Sequence, residues 1–209
     1  MKRYPQAAAF ILAGGVSSRM GREKGLLEFG GEPLIVRTAR LVEPFVSEVT
    51  VIGPPERYDV LGLRVIADQN FRGRQAKEAV QTPLVGIATA LNAAAKPWNL
   101  ILACDLPYVN ANWLDWLLAR AANSRAEIVM PRTSAGLEPL AAVYRKECAP
   151  AIVAALERGV RKVTEAMAEF RMEYLSERDW SEHDPGGRVL RNMNTPLDYE
   201  EARKWLETK

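Results

Sequence analysis

One stretch near the start constrains this chain more than any other. Ala7-Ala8-Ala9-Phe10-Ile11-Leu12-Ala13 is an unbroken apolar run, which predicts a strand buried on both faces of a central sheet rather than one with an alternating, half-wet face. The run empties into Gly14-Gly15-Val16-Ser17-Ser18-Arg19-Met20-Gly21-Arg22-Glu23-Lys24. Gly14 and Gly15 lack a Cβ, so their backbone is open to positive φ and to close approach by a ligand. Successive N–H groups from Ala13 to Val16 can then face an anion, while Arg19 and Lys24 bring formal positive charge to where phosphate oxygens would sit. A glycine-rich turn alone is more often only a turn; the two cations favour a nucleotide site.

Strand and helix signals alternate along the rest of the chain, which predicts an α/β fold. Residues 25–31 read as a short extended piece and a tight turn, and Pro33 starts a helix through about Val42. Strands are predicted over 48–52 and 63–67, the latter ending at Asp68, followed by a polar, basic and mobile loop over 69–81 with Arg72, Arg74 and Lys77. Thr82-Pro83 opens an alanine-rich helix to about Ala95. Trp98 to Cys104 is a second buried strand, ending in Asp105-Leu106-Pro107. Asn112 is expected to cap a helix with Trp113, Leu114, Leu117 and Leu118 on its packed face.

Strands over 126–130 and 140–144 flank a hairpin-like excursion, and helices are expected over 146–158 and 161–170 with Gly159 as the break. A short edge strand at 172–175, an extended segment at 189–193 and a terminal helix opened by Asn194-Thr195-Pro196 complete the reading. At 209 residues the chain suits a single domain spanning 1–209.

Charge and cysteine usage exclude several classes. With Lys+Arg 28 against Asp+Glu 26 the net charge is only +2, so neither a nucleic-acid coat nor a polybasic membrane segment is expected, and no nucleic-acid or membrane partner. Cys104 and Cys148 have no zinc or disulfide spacing. The first apolar run is too short for a leader or a membrane span, so a cytoplasmic protein is expected.

The familiar phosphate fingerprints fail. Gly21-Arg22 is not the Gly-Lys-Ser/Thr ending of a P-loop, and Gly14-Gly15-Val16-Ser17 does not fit Gly-x-Gly-x-x-Gly. What remains is the longer pattern Leu-Ala-Gly-Gly-x-Ser-x-Arg-Met-Gly-x-x-Lys over residues 12–24. It resembles the signature of nucleotidyltransferases that activate small phosphorylated acceptors, and within them the molybdenum cofactor guanylyltransferases. Further matches follow in order: Thr82 to Ile87, Cys104-Asp105-Leu106-Pro107, Glu138-Pro139-Leu140 with Val143-Tyr144, Gly159 to Val163, and Asn192-Met193-Asn194-Thr195-Pro196.

The resemblance implies a three-layer α/β/α sandwich with a mostly parallel mixed sheet, the Rossmann-like nucleotide-diphospho-sugar transferase fold. It implies transfer of GMP from GTP to molybdenum-carrying molybdopterin, with pyrophosphate released. Arg19, Lys24 and Asp105 would be catalytic, with Asp105 holding Mg²⁺, the expected cofactor. Leu12, Ala13, Gly14, Gly15, Ser17, Lys24, Asp68 and Asp105 would bind GTP, and Gly14 would report guanine, since related cytidylyltransferases tend to read Leu-Ala-Ala-Gly. Arg161, Lys162, Asn192 and Asn194 would face molybdopterin, and transient contacts with proteins that make or receive the cofactor would follow.

Plainer roles stand beside these: helix cap or surface carboxylate for Asp105, turn-former for Asp68, solvated helix start for Arg161 and Lys162, turn or cap for Asn192 and Asn194. His183 is expected to do nothing catalytic, and Cys104 to be a small buried hydrophobe. Two departures from the pattern concern the nucleoside contacts: Thr82 stands where glycine is usual, and Gly53-Pro54-Pro55 offers no asparagine. A CTP-dependent or sugar-phosphate transferase of the same fold, and a non-catalytic GTP-binding regulatory or adaptor protein, are the alternative readings.

Overall fold

The computed structural model describes residues 2–13, 23–71 and 82–208. Gly14, Gly15, Ser17 and Arg19, like Arg72, Arg74 and Lys77 of the basic segment, lie outside the described residues.

The continuous apolar run does form a central strand, β1 (Ala7–Leu12), with every residue buried. Its neighbours are β2 (Val49–Ile52) and β4 (Trp98–Ala103), both parallel to it, and β3 (Val65–Ile66) continues the parallel set beyond β2. The order is β3-β2-β1-β4-β7-β5-β6, with β7 (Ala141–Arg145) antiparallel to both β4 and β5 (Ile128–Thr133). The hairpin-like excursion is real: β6 (Gly136–Leu137) folds back on Arg132 and Thr133. The predicted edge strand is β8 (Met172–Ser176), parallel to β5. The sheet is mixed and mostly parallel.

Side-chain alternation along β1 divides the core into two layers. Ala8, Phe10 and Leu12 pack with Leu84, Ile87 and Leu91 of α3 (Pro83–Ala93) and, through Ile101 and Tyr144, with Ile152 and Leu156 of α5 (Ala149–Glu157). On the opposite face Ala7 and Ala9 share a cluster with Trp113, Leu114 and Leu117 of α4 (Ala111–Asn123), and Ile11 shares one with Ile35 and Ala39 of α1 (Leu34–Val42). Helices on both faces make the three-layer sandwich. No helix among the described residues is long and apolar enough to cross a membrane.

A smaller core matters most for the site. Leu27, Phe29 and Leu34 pack with Tyr108, Met193 and Ala202, backed by Trp205 and Leu206 of α8 (Pro196–Glu207). The predicted tight turn is present: Gly30 and Gly31 have φ of 69° and 85°, and Phe29 N–H donates to Glu32 C=O at 2.7 Å. Gly30 has a φ that L side chains rarely adopt, and a Cβ there would lie 2.7 Å from Leu206 Cδ2, so a larger residue would strain the turn and displace the Leu206 methyl.

The structure departs from the sequence pattern at several places. The cap of α4 is Asn110, whose side chain accepts from Trp113 N–H at 3.0 Å; Asn112 is an exposed residue within the first turn. The segment expected to be extended over 189–193 starts in a turn at Val189 and Leu190, where Asp184 accepts from the N–H groups of Arg188 and Val189. The helix predicted over 161–170 shrinks to one turn, α6 (Val163–Ala166), a further single turn, α7 (Glu177–Trp180), follows β8, and 146–148 is a 3₁₀ turn ahead of α5. Thr82 stands at the N-cap of α3 with Pro83 after it, yet its side chain makes no capping bond.

The Asn110 assignment yields a direct test. Asn110→Ala should cost about 1 kcal/mol in urea unfolding, the usual value of a lost N-cap, whereas Asn112→Ala should stay within about 0.5 kcal/mol of wild type. Equal losses would contradict it.

Candidate active site

The parallel strands β1 to β4 all end at one edge of the sheet, where α/β proteins collect their ligands. Asp105 stands two residues past β4. The β1–β4 ladder runs one step beyond the strands, with Cys104 N–H donating to Leu12 C=O at 3.1 Å, so Asp105 leaves a rigid frame. Its carboxylate Oδ2 lies 2.7 Å from Lys24 Nζ, and both side chains are 19% exposed. Lys24 Nζ also donates to Asn194 Oδ1 at 2.6 Å.

Three segments distant in sequence therefore meet at one ammonium. Each is fixed by ordinary local chemistry. Lys24 opens a 3₁₀ turn (Lys24–Leu26) whose continuation, Leu27, is pinned through Leu34 N–H to Leu27 C=O at 2.9 Å. Met193 N–H donates to the Asp105 carbonyl at 2.9 Å, docking the C-terminal segment directly on the carboxylate-bearing residue. Asn194 N–H, Thr195 N–H and the Thr195 hydroxyl all donate to Asp198 Oδ2, closing the capping box that starts α8. Those donors, the Thr195 hydroxyl foremost, hold the Asp198 carboxyl below its ordinary range.

The other described residues singled out from the sequence lie in different surroundings. Leu12 and Ala13 are buried at the strand end, but the Ala13 N–H donates to Ile52 C=O at 2.8 Å, so that amide is committed to the sheet and is not a phosphate donor. Asp68 follows β3 at the same edge; the residue is open to solvent, and partial desolvation by neighbouring protein moves its carboxyl upward. Arg161 is used within the fold: its Nη1 donates to the carbonyls of Val160 at 3.1 Å and Leu156 at 3.3 Å, closing the end of α5. Lys162 and Asn192 are exposed, and among the described residues neither Arg161, Lys162 nor Asn192 makes a hydrogen bond or ion pair with Lys24.

Cys104 is buried, and desolvation pushes its thiol up to about 12, which suits a small hydrophobe. His183 stacks on Trp116 with ring centroids 5.6 Å apart.

Glu138 belongs to the Glu138-Pro139-Leu140 motif. It sits between β6 and β7 at the same sheet edge, half-buried, accepting from the Thr133 hydroxyl at 3.0 Å. Burial raises its carboxyl above the ordinary range, the Thr133 bond opposing it.

A model of the MobA-like NTP transferase domain matches residues 9–171. The chain belongs to the MobA-like NTP transferase family. A relative from Pelotomaculum thermopropionicum named "Probable molybdenum cofactor guanylyltransferase" is 36% identical over 203 residues, covering 97% of this chain and 94% of that protein. One of the same name from Synechococcus elongatus is also 36% identical, over 92% of this chain and 96% of its own. Among solved structures, the molybdopterin-guanine dinucleotide biosynthesis protein A of Archaeoglobus fulgidus superposes with a TM-score of 0.81 at 22% identity, covering 97% of this chain and all of that one. That likeness shares the fold. The family match stops at residue 171, so Met193 and Asn194 lie beyond it.

The raised carboxyl of Glu138 has a pH consequence. Native protein binds its proton more tightly than unfolded chain, so wild-type stability falls as pH rises through the window between the unfolded and the raised folded value. Glu138→Gln cannot ionise and keeps an acceptor for Thr133. Its stability relative to wild type should therefore increase from pH 4 to pH 7 in parallel thermal melts; a pH-independent difference would show that the carboxyl is not perturbed.

Proposed function

We propose that this protein transfers GMP from GTP to molybdenum-carrying molybdopterin and releases pyrophosphate. The observation that carries the reading is the meeting of Lys24 and Asp105 at the carboxyl edge of the sheet, in a chain that aligns over nearly its whole length with relatives named for this activity. The Leu-Ala-Gly-Gly wording of residues 12–15 supports guanine over cytosine.

In-line attack of an acceptor phosphate on the α-phosphorus brings two anions together, so positioning and charge neutralisation dominate, and no covalent nucleophile is needed. Lys24 is suited to neutralise phosphate charge: its ammonium is held by Asp105 and Asn194 on one side and remains partly open to solvent. Asn194 holds that ammonium in place from the C-terminal segment. Asp105 offers hard carboxylate oxygens, and among the described residues no group of three or more metal-ligating side chains occurs. One carboxylate with waters and phosphate oxygens is a donor set that fits Mg²⁺. Bound there, Mg²⁺ would supply further neutralisation of the triphosphate. Arg19 would add a second cation from the same opening stretch.

Labelled GTP, CTP, ATP and UTP, each with Mg²⁺ and molybdenum-loaded molybdopterin, test the assignment. Acceptor-dependent pyrophosphate release is expected with GTP. Release with CTP alone would overturn the base assignment, and GTP binding without release would indicate a binder that has lost transfer.

The same assay separates chemistry from folding. Lys24→Ala and Asp105→Asn should each lower turnover by roughly 10²–10³-fold, as removal of a charge-stabilising group does. Their unfolding free energies should change by less than about 2 kcal/mol, because the pair retains contact with water. Stability losses large enough to account for the missing activity would make both residues structural.

A further inference from the structure

Tyr58 is a large polar side chain buried against the junction between the opening strand and Lys24. It lies at the end of α2 (Pro55–Tyr58), which follows the Gly53-Pro54-Pro55 turn, and it is fully buried. Its hydroxyl faces two acceptors. One is Glu23 Oε1 at 2.7 Å and the other is the Ala13 carbonyl at 3.2 Å. Ala13 ends the opening strand segment, and Glu23 immediately precedes Lys24. A single phenolic proton thus spans the two residues that flank the glycine-rich stretch, at its entry and its exit.

The surroundings are built for this span. A Cβ on Gly25 would lie 3.0 Å from the Tyr58 hydroxyl, and a Cβ on Gly53 would lie 3.2 Å from the ring Cε2. The ring passes between two glycines that leave it room, so these glycines serve space rather than unusual φ. The second carboxylate oxygen of Glu23 is paired with Arg57, which turns Oε1 toward the phenol. Burial first, then the Glu23 bond, raise the Tyr58 pKa, so the phenol stays protonated and remains a donor at neutral pH.

We propose that Tyr58 is a positioning residue for the nucleotide half-site: by bonding Glu23 and the Ala13 carbonyl together it holds Lys24 in register with the end of β1. The inference rests on the nucleotidyltransferase reading. The geometry explains why a tyrosine rather than a phenylalanine fills this core position. An apolar ring would pack equally well and leave the two flanks untied.

Tyr58→Phe keeps the ring and removes the tie. In the transfer assay it should raise the KM for GTP about tenfold, the order expected for losing a hydrogen bond to a charged group, with the KM for the acceptor within about twofold of wild type. Glu23→Gln retains an acceptor oxygen for Tyr58 and should stay within about threefold of wild type, whereas Glu23→Ala should match Tyr58→Phe, and the Tyr58→Phe/Glu23→Ala pair should be no worse than either alone.

A residue that only fills the core would lower thermal stability and active fraction and leave the KM for GTP unchanged, and that result would overturn the proposal. Amide exchange of the protein without nucleotide reads the tie independently of any substrate. Leu26 N–H and Leu27 N–H donate to the Glu23 and Lys24 carbonyls, and both should exchange faster in Tyr58→Phe; unchanged exchange would overturn the proposal even if GTP proves to be the substrate. A wild-type protein that turns over no triphosphate would instead overturn the transferase reading on which it rests.

Discussion

The contact between the Lys24 ammonium and the Asp105 carboxylate is the constraint on which the site depends. It is an electrostatic contact with water on one side, so its direct contribution to stability is modest. What it requires is large: the segment after the glycine-rich stretch, the end of β4 and the start of α8 must all arrive at one place. The apolar cluster of Leu27, Phe29, Tyr108 and Met193 does that work, with Trp205 packed edge-on to Tyr108 at 5.0 Å between centroids. Non-directional burial brings the segments together, and the directional bonds of Met193, Asn194 and Thr195 set which atoms meet.

The sheet explains why the charges collect where they do. Parallel neighbours place the ends of β1 to β4 at one edge, so Ala13, Gly53, Asp68 and Asp105 share it although they are scattered along the chain. The antiparallel strand β7 begins at that edge as well, with Ala103 N–H donating to Leu140 C=O at 2.7 Å, and so brings Glu138 there. Carboxylates at such an edge cost stability where they are buried. Glu138 is such a case: burial raises its carboxyl, and the Thr133 hydroxyl bond opposes the rise.

Much of this was legible in the residues. The buried strands announced themselves as continuous apolar runs, and the position of Asp105 after one of them marked it as a site candidate. Lys24 stood out as a cation beyond a glycine-rich stretch. Asn194 was reached only through resemblance, since a lone asparagine before Thr-Pro reads equally as a cap. Tyr58, Gly25 and Gly53 were not legible at all, because their relation is a tertiary contact between segments with no shared periodicity. Arg161 shows a related limit: a basic residue after a helix can face a ligand or close the helix, and the sequence does not show that its Nη1 meets the Leu156 and Val160 carbonyls. Asn110 and Asn112 differ by two residues in a stretch where either caps, and the bond to Trp113 N–H picks the first.

A crystal structure with GTP and Mg²⁺ tests the central claim most directly. The account predicts the triphosphate at the carboxyl edge of β1 and β4, with Asp105 on the metal ion and Lys24 on phosphate oxygens, Asn194 still beside the ammonium. A nucleotide seated elsewhere, with the Lys24–Asp105 pair intact, would contradict it.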